Sequence, residues 1–184
     1  MTEIMKNIIK LAIEGPLSEQ HAIEAFSEIM SGQAKEGQIA GFLIALKSRK
    51  ETVTEIRSAA KVMINQCRKV TAPKYAIDIV GTGGDGHGTL NISTATSIVV
   101  ASSGITVAKH GNRNISSKSG AADVLEKLGI QPMVEPKVVE KCLSEANIGF
   151  MMAPIYHPAV KNVMPTRQML GVRTIFNILG PLTN

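Results

Sequence analysis

Five glycines fall within the eight positions Gly81-Thr-Gly-Gly-Asp-Gly-His-Gly88, directly after the apolar run Ile77-Asp-Ile-Val80. Neither a helix nor a strand continues through so many glycines, because each gives up more backbone freedom on ordering than any other residue. The stretch is therefore a loop, and its backbone N–H groups can converge on an anion with no side chain in the way. A helix predicted over residues 92–102 follows, opening at Asn91-Ile-Ser-Thr94. Its hydroxyls, free N-terminal amides and dipole all favour negative charge at that end. Strand, anion-binding loop and helix in that order belong to a parallel sheet covered by helices.

The same alternation runs through the rest of the C-terminal part. Ile105-Thr-Val-Ala108 and Ile148-Gly-Phe-Met-Met152 read as buried strands, with helices over 120–128, 137–146 and 157–169. Continuous apolar strands point to a sheet buried on both faces. Three such strands make a thin sheet for this architecture. The chain also closes on turn chemistry, Leu179-Gly-Pro-Leu-Thr-Asn184, so the sequence is expected to be cut short.

Before Thr71-Ala-Pro73 the pattern is different. Ser18 can cap a helix whose apolar positions are Ala22, Ile23, Phe26, Ile29 and Met30, stopped by Gly32. Ile39, Phe42, Leu43 and Leu46 form a second stripe. Thr54 can cap a third, through Ile56, Ala59, Ala60 and Met63, and Ile4, Ile8 and Leu11 form a short first helix. The expected organisation is α/β: a small helical domain over 1–70, suited to dimerisation, then a parallel-sheet domain over 71–184.

Composition closes off several function classes. Aromatic residues are 3% of the 184, with no Trp, which excludes a nucleic-acid module built on base stacking. The net charge of +5 includes no basic tail or run of like charges, and suits an anionic small molecule. Cys67 and Cys142 form no CxxC or Cys/His cluster, and His87, His110 and His157 lack metal-ligand spacing. There is no Ser/His/Asp or Cys/His nucleophile constellation. The N-terminus has an acid where a signal peptide needs bases, and no run approaches 18 apolar residues. A cytosolic chain without a membrane partner is expected.

Gly81, Gly83 and Gly86 satisfy the G-x-G-x-x-G spacing of a dinucleotide site. Such a site needs an acid after the next strand to hold a ribose, and here Lys109-His110 follows instead. No Gly-Lys-Ser/Thr occurs, so the triphosphate P-loop fails as well. The second strand instead leads into Lys109-His-Gly-Asn-Arg-Asn-Ile-Ser-Ser-Lys118, and no acidic residue lies between Asp85 and Asp123. A basic, hydroxyl-rich loop beside a glycine loop, at the carboxyl edge of a sheet, suits a ligand with several phosphates. Farther on, Arg167 and Arg173 flank a helix end, where one guanidinium can clamp a carboxylate.

Five motifs together resemble the anthranilate phosphoribosyltransferases. They are Asp78-Ile-Val-Gly-Thr-Gly-Gly-Asp85, Asn91-Ile-Ser-Thr94, Lys109-His-Gly-Asn-Arg113, Ser116-Ser-Lys-Ser-Gly-Ala-Ala-Asp123 and Arg173-Thr-Ile-Phe-Asn-Ile-Leu-Gly-Pro-Leu-Thr-Asn184. The resemblance runs over the whole chain. It implies a nucleoside phosphorylase/phosphoribosyltransferase-like fold and a homodimer formed through the helical domain. It also implies a magnesium-dependent step of tryptophan biosynthesis: the amine of anthranilate displaces pyrophosphate from phosphoribosyl pyrophosphate.

Carried over by motif, Gly81, Gly84 and Asp85 would line the diphosphate loop, with Thr89 beside them. Asn91, Ile92, Ser93 and Thr94 would hold phosphates, with Ser93 also a Mg2+ ligand. Lys109, His110, Gly111, Asn112, Arg113, Asn114, Ile115, Ser116 and Ser117 would embrace the phosphoribosyl group, and position 121 would meet a phosphate. Gly81, Asn112 and Arg167 would contact anthranilate. The sequence departs from the family at Ala121, where Ser is frequent, at Leu90, where an aromatic is common, and at Asn114, where a small apolar residue is common. It also has roughly half the family's length, and the family's acidic Asp-Glu pair for magnesium lies in the other half. That implies a chain holding most substrate contacts but weak or inactive alone. A pyrimidine nucleoside phosphorylase shares this layout but expects a Lys-His-Ser-type start to its glycine loop. A non-catalytic ligand-binding relative is the remaining alternative.

Overall fold

The computed structural model describes residues 3–82, 90–113 and 120–184. It divides into two compact units, one formed by Met1–Cys67 with Ala159–Thr183 and the other by Arg68–Pro158 with Asn184. Among the described residues no helix is long and apolar enough to cross a membrane.

The first unit is helical: α1 (Glu3–Glu14), α2 (Glu19–Met30), α3 (Glu36–Arg49) and α4 (Val53–Gln66). Helix α2 packs on α4 and α1 on α3. Ser18 caps α2 as its sequence predicts, its hydroxyl accepting the His21 N–H at 3.2 Å. Helix α4 is capped earlier than expected, by Thr52 and not Thr54. Thr52 and Glu55 form a reciprocal capping box, which satisfies two N-terminal donors where Thr54 could satisfy one. In α1 the buried positions are Met5, Ile8 and Ala12, whereas Ile4 and Leu11 are exposed. The helix is rotated by one position from the predicted stripe, because Met5 and Ala12 complete an i, i+3, i+7 face with Ile8.

Phe26 anchors this core, edge-to-face with Phe42 at 5.4 Å and with Phe176 at 6.2 Å. The partner Phe176 comes from the far end of the chain. We number the short helices there α8 (Ala153–Tyr156), α9 (Met164–Leu170) and α10 (Phe176–Leu179). The helix predicted over 157–169 is in fact a 3-10 turn, Pro158–Asn162, followed by α9. Pro154, Pro158 and Pro165 each begin a new piece, since proline has no N–H to give a preceding turn. Val163, Ile175, Phe176 and Leu179 are buried in the helical core.

A second network ties this unit together. The Glu55 carboxylate is fully buried and accepts from Leu17 N at 2.9 Å, Thr52 N at 2.8 Å, Thr52 Oγ1 at 2.9 Å and Arg49 Nη1 at 3.1 Å. Arg49 Nη2 also pairs with it, while Arg49 Nε donates to Ala12 O at 2.8 Å. Burial raises the Glu55 pKa, but these donors outweigh it and hold the carboxyl below its ordinary range.

The second unit holds α5 (Ile92–Ser102), β1 (Val107–Gly111), α6 (Ala121–Lys127), α7 (Pro136–Ala146) and β2 (Ile148–Met152). Strands β1 and β2 are parallel, in register from Val107 opposite Ile148 to Gly111 opposite Met152. The β2 and α5 boundaries are those expected, and α6 and α7 differ by a residue at their ends. Strand β1 begins two residues later than predicted and runs on through Lys109 and His110. Both are buried, although their polarity reads as loop. Gly149 lets α7 lie close to β2: a Cβ there would stand 2.8 Å from Val139 Cγ1 and 3.0 Å from Leu143 Cγ.

The expected strand over 77–80 is reduced to a single parallel bridge, Ile77 with Val107. The ladder starts normally, with Ile77 N donating to Thr106 O at 3.0 Å and Ala108 N to Ile77 O at 2.8 Å. Its continuation would join Ile79 N to Ala108 O and then His110 N to Ile79 O. Instead His110 N donates to the Asp78 carboxylate at 3.1 Å, and Ile79 O accepts the Lys109 ammonium at 2.7 Å. Side chains have replaced the backbone pairing.

Candidate active site

That substitution builds the site. Lys109 is 3% exposed, and its Nζ donates to Ile79 O and to Ser93 Oγ at 3.2 Å, in the first turn of α5. Among the described residues no carboxylate lies within ion-pairing distance of it. Burial lowers the Lys109 pKa from its ordinary value, opposed by the field of Asp78. A buried ammonium held by two neutral oxygens keeps its charge available for an anion.

Helix α5 gives that charge a favourable neighbour. Asn91 stands at its N-cap, and the hydroxyl of Thr94 is buried with no hydrogen-bond partner among the described residues. The helix carries no acidic residue in its first turn, so nothing there opposes a phosphate. Ile92 is exposed on the same turn. At Gly81 a Cβ would meet nothing within 4 Å among the described residues.

At the other edge, β1 continues into Gly111, Asn112 and Arg113. Gly111 is required by packing: a Cβ would stand 2.7 Å from Phe150 Cε2 and 3.2 Å from the Ala121 methyl. Asn112 Oδ1 accepts the Arg113 N–H at 2.8 Å, and Asn112 O accepts Ala122 N at 3.3 Å. Arg113 turns to α6, where it pairs with Glu126 and lies 3.5 Å from Asp123. It is half exposed there, so the pairing is loosely held.

The structure thus brings Asn91, Ser93 and Thr94 to the helix start facing Lys109, and places His110, Gly111, Asn112 and Arg113 at the strand end. Arg167 lies in the helical unit, on α9, with its guanidinium 5.7 Å from the Phe176 ring centre. Burial lowers its pKa from the ordinary value, and a guanidinium stays charged regardless. Gly84, Asp85, Thr89, Asn114, Ile115, Ser116 and Ser117 lie outside the described residues. Among the described residues no cluster of three His, Cys, Asp or Glu suits a metal ion.

Two polar neighbours of His110 escape sequence reading. Asp78 joins β1 through His110 N, and Asn184 bridges Asp78 Oδ2 and His110 Nδ1. The His157 ring stacks on His110 with centres 4.9 Å apart and planes at 29°. The one signal available was an acid in the middle of the apolar run 77–80. Burial raises the Asp78 pKa, against the pull of the His110 N–H and of Lys109.

A buried lysine facing a helix start that carries no acidic residue is a site suited to a phosphate-bearing ligand. The chain belongs to the glycosyl transferase family: residues 73–184 match its a/b domain and residues 5–67 its helical bundle domain. Among curated relatives, it is 54% identical over 181 residues to an anthranilate phosphoribosyltransferase of Bradyrhizobium sp. (strain ORS 278), covering 98% of this chain and 54% of the relative. Among solved structures, anthranilate phosphoribosyltransferase from Thermus thermophilus matches with a TM-score of 0.90 at 44% identity, over 96% of this chain and 54% of that one. The Saccharomyces cerevisiae enzyme, solved in complex with PRPP and Mg, matches with a TM-score of 0.89 at 32% identity, over 100% and 55%. The chain spans about half the length of the curated relatives it matches.

Proposed function

We propose that this chain serves the transfer of a phosphoribosyl group from phosphoribosyl pyrophosphate to the amine of anthranilate, with release of pyrophosphate. The observation that carries the proposal is the buried Lys109 ammonium, hydrogen-bonded among the described residues to two neutral oxygens and aimed at the first turn of α5. Its support comes from relatives that bear this activity in their names, one of them solved with PRPP and Mg.

In this reading Gly81, Gly84, Asp85 and Thr89 receive the diphosphate with the α5 residues Asn91, Ile92, Ser93 and Thr94. Lys109 and the stretch from His110 to Ser117 surround the phosphoribosyl group, with position 121 at a phosphate. Asn112, Gly81 and Arg167 contact anthranilate. The leaving diphosphate and the cationic ribosyl centre need positioning and electrostatic stabilisation more than a strong base. An aniline-type amine needs little deprotonation before it attacks.

Magnesium fits the donors present. Ser93 would supply one hard oxygen to the ion, and Mg2+ commonly takes few protein ligands. When bound, it offsets charge on the diphosphate. The helical residues 1–70 form a homodimer face, residues 71–184 carry the ligand site, and the protein works in the cytoplasm.

The alternative reading is ligand binding without turnover, and one pair of measurements separates the two. A thermal-shift titration with phosphoribosyl pyrophosphate and Mg2+, with NAD as control, is paired with an assay for pyrophosphate release on adding anthranilate. A ligand at 100 times its Kd adds about 2.7 kcal/mol of stability. A shift with release supports transfer, and a shift without release supports the second reading. No shift with phosphoribosyl pyrophosphate overturns the site.

A further inference from the structure

We propose that Asp78 is a positioning residue for His110: acting through Asn184, it fixes the proton on His110 Nδ1 and leaves Nε2 as an acceptor for a substrate amine N–H. The proposal rests on the reading above only in naming the amine.

Three hydrogen bonds decide where the ring proton sits. An ionised carboxylate can only accept. Asp78 Oδ1 takes the His110 backbone N–H at 3.1 Å, so Oδ2 faces Asn184 and must meet that residue's NH2. With its nitrogen committed, Asn184 turns its carbonyl oxygen to His110 Nδ1. A carbonyl there requires a proton on Nδ1. Neutral imidazole has a single ring proton, so Nε2 carries a lone pair.

That lone pair is what the fold leaves open. His110 Nε2 is buried and has no hydrogen-bond partner among the described residues. Stacking on His157 holds the ring plane, and His157 itself is 7% exposed. A buried acceptor without a donor is unfavourable, and a ligand N–H would relieve it. His110 stands next to Lys109 and two residues before Asn112, at the carboxyl end of β1, the edge where open parallel sheets bind ligands. Carbon-bound hydrogens of a ligand would not satisfy Nε2, whereas an aromatic amine offers two N–H groups, one of which can point there while the nitrogen lone pair faces the ribosyl carbon.

The test is long-range 1H–15N correlation spectroscopy on the whole 184-residue chain labelled at histidine, at a pH where the rings are neutral. His110 is assigned by loss of its cross-peaks in His110→Gln. The wild type is expected as a single Nδ1–H tautomer. In Asp78→Asn the new amide keeps its oxygen on His110 N and turns NH2 to Asn184. Asn184 then flips, points its own NH2 at Nδ1, and His110 is expected to invert to Nε2–H. Asn184→Ala, at an exposed position, should give a mixture of tautomers and guards against Asp78→Asn failing to fold. A wild-type Nε2–H tautomer would overturn the proposal, as would a folded Asp78→Asn or Asn184→Ala that retains the single Nδ1–H form. Titrating the wild type with anthranilate, phosphoribosyl pyrophosphate and Mg2+ tests the acceptor. The Nε2 resonance is expected to move. If other resonances saturate while Nε2 stays fixed, the acceptor role is wrong and the functional reading stands. If none moves, the functional reading fails, and with it the amine, while the tautomer result still decides the role of Asp78.

Discussion

Removing Arg49 tests whether the buried carboxylate of Glu55 holds the helical unit together. In Arg49→Met the stem stays packed, but the carboxylate loses both Nη contacts and Ala12 O loses its Nε donor. Breaking a buried pair from one side costs about 3–5 kcal/mol. The Leu17 N–H and the two Thr52 donors remain on the carboxylate, so we place the loss at the lower end, about 3 kcal/mol. For a chain of this length that is roughly 6–12 °C in Tm. The pH dependence carries the sign. In the wild type the folded pKa of Glu55 lies below its ordinary 4.5, so its contribution is present above that value and is lost as pH falls through the folded pKa. In Arg49→Met burial is no longer outweighed, the folded pKa moves upward, and the variant recovers relative to wild type as the carboxyl protonates. Urea unfolding at pH 7.5 and pH 4 measures both. The exposed Lys61–Glu19 pair, 3.5 Å apart, serves as the control, and Lys61→Ala should cost less than about 1 kcal/mol. A neutral-pH loss below about 1 kcal/mol for Arg49→Met, or a loss that does not shrink in acid, would refute the reasoning.

Other outcomes follow from the same structure. Thr52→Ala should cost about 1 kcal/mol in chemical unfolding and Thr54→Ala only a few tenths, which would confirm where α4 begins. Gly149→Ala crowds Val139 and Leu143 and should lower stability by about 1–3 kcal/mol, while Gly81→Ala, whose Cβ meets none of the described residues, should leave Tm within about 1 °C. Lys109→Met should unfold at lower urea than wild type without ligand, by about 1–3 kcal/mol, because the Ile79 carbonyl loses its donor. In the same thermal-shift titration it should lose the stabilisation by phosphoribosyl pyrophosphate.

Much of this molecule was legible in its sequence, and the gaps have a common cause. A long amphipathic stripe survives reading where burial sets it: α2, through Phe26 and Ile29, needed no knowledge of neighbours. Boundaries set by polar contacts did not survive. Thr54 lost its role to Thr52 because Glu55 reaches back, and β1 ran on because the Lys109 ammonium and the His110 ring find partners in Ile79 O and Asn184. The prolines at 154, 158 and 165 stand in the sequence, but the helical spacing over 157–169 hides that each starts a separate piece. Of the site, the loop and helix start were readable from glycines and hydroxyls. The link from Asp78 to His110 through Asn184 spans 106 positions of sequence, and no local pattern carries it.

The missing rung at Ile79 has a consequence for how the protein can change. Backbone ladders are indifferent to side chains, so most sheet positions can be replaced one at a time. Here the junction between residues 78–80 and β1 is written in a carboxylate and an ammonium, and neither position can be varied without re-routing a main-chain group of the other segment. Engineering of this edge therefore has to treat 78, 79, 109 and 110 as one unit of substitution. A change that improves ligand contacts at 109 will also redraw the end of the sheet.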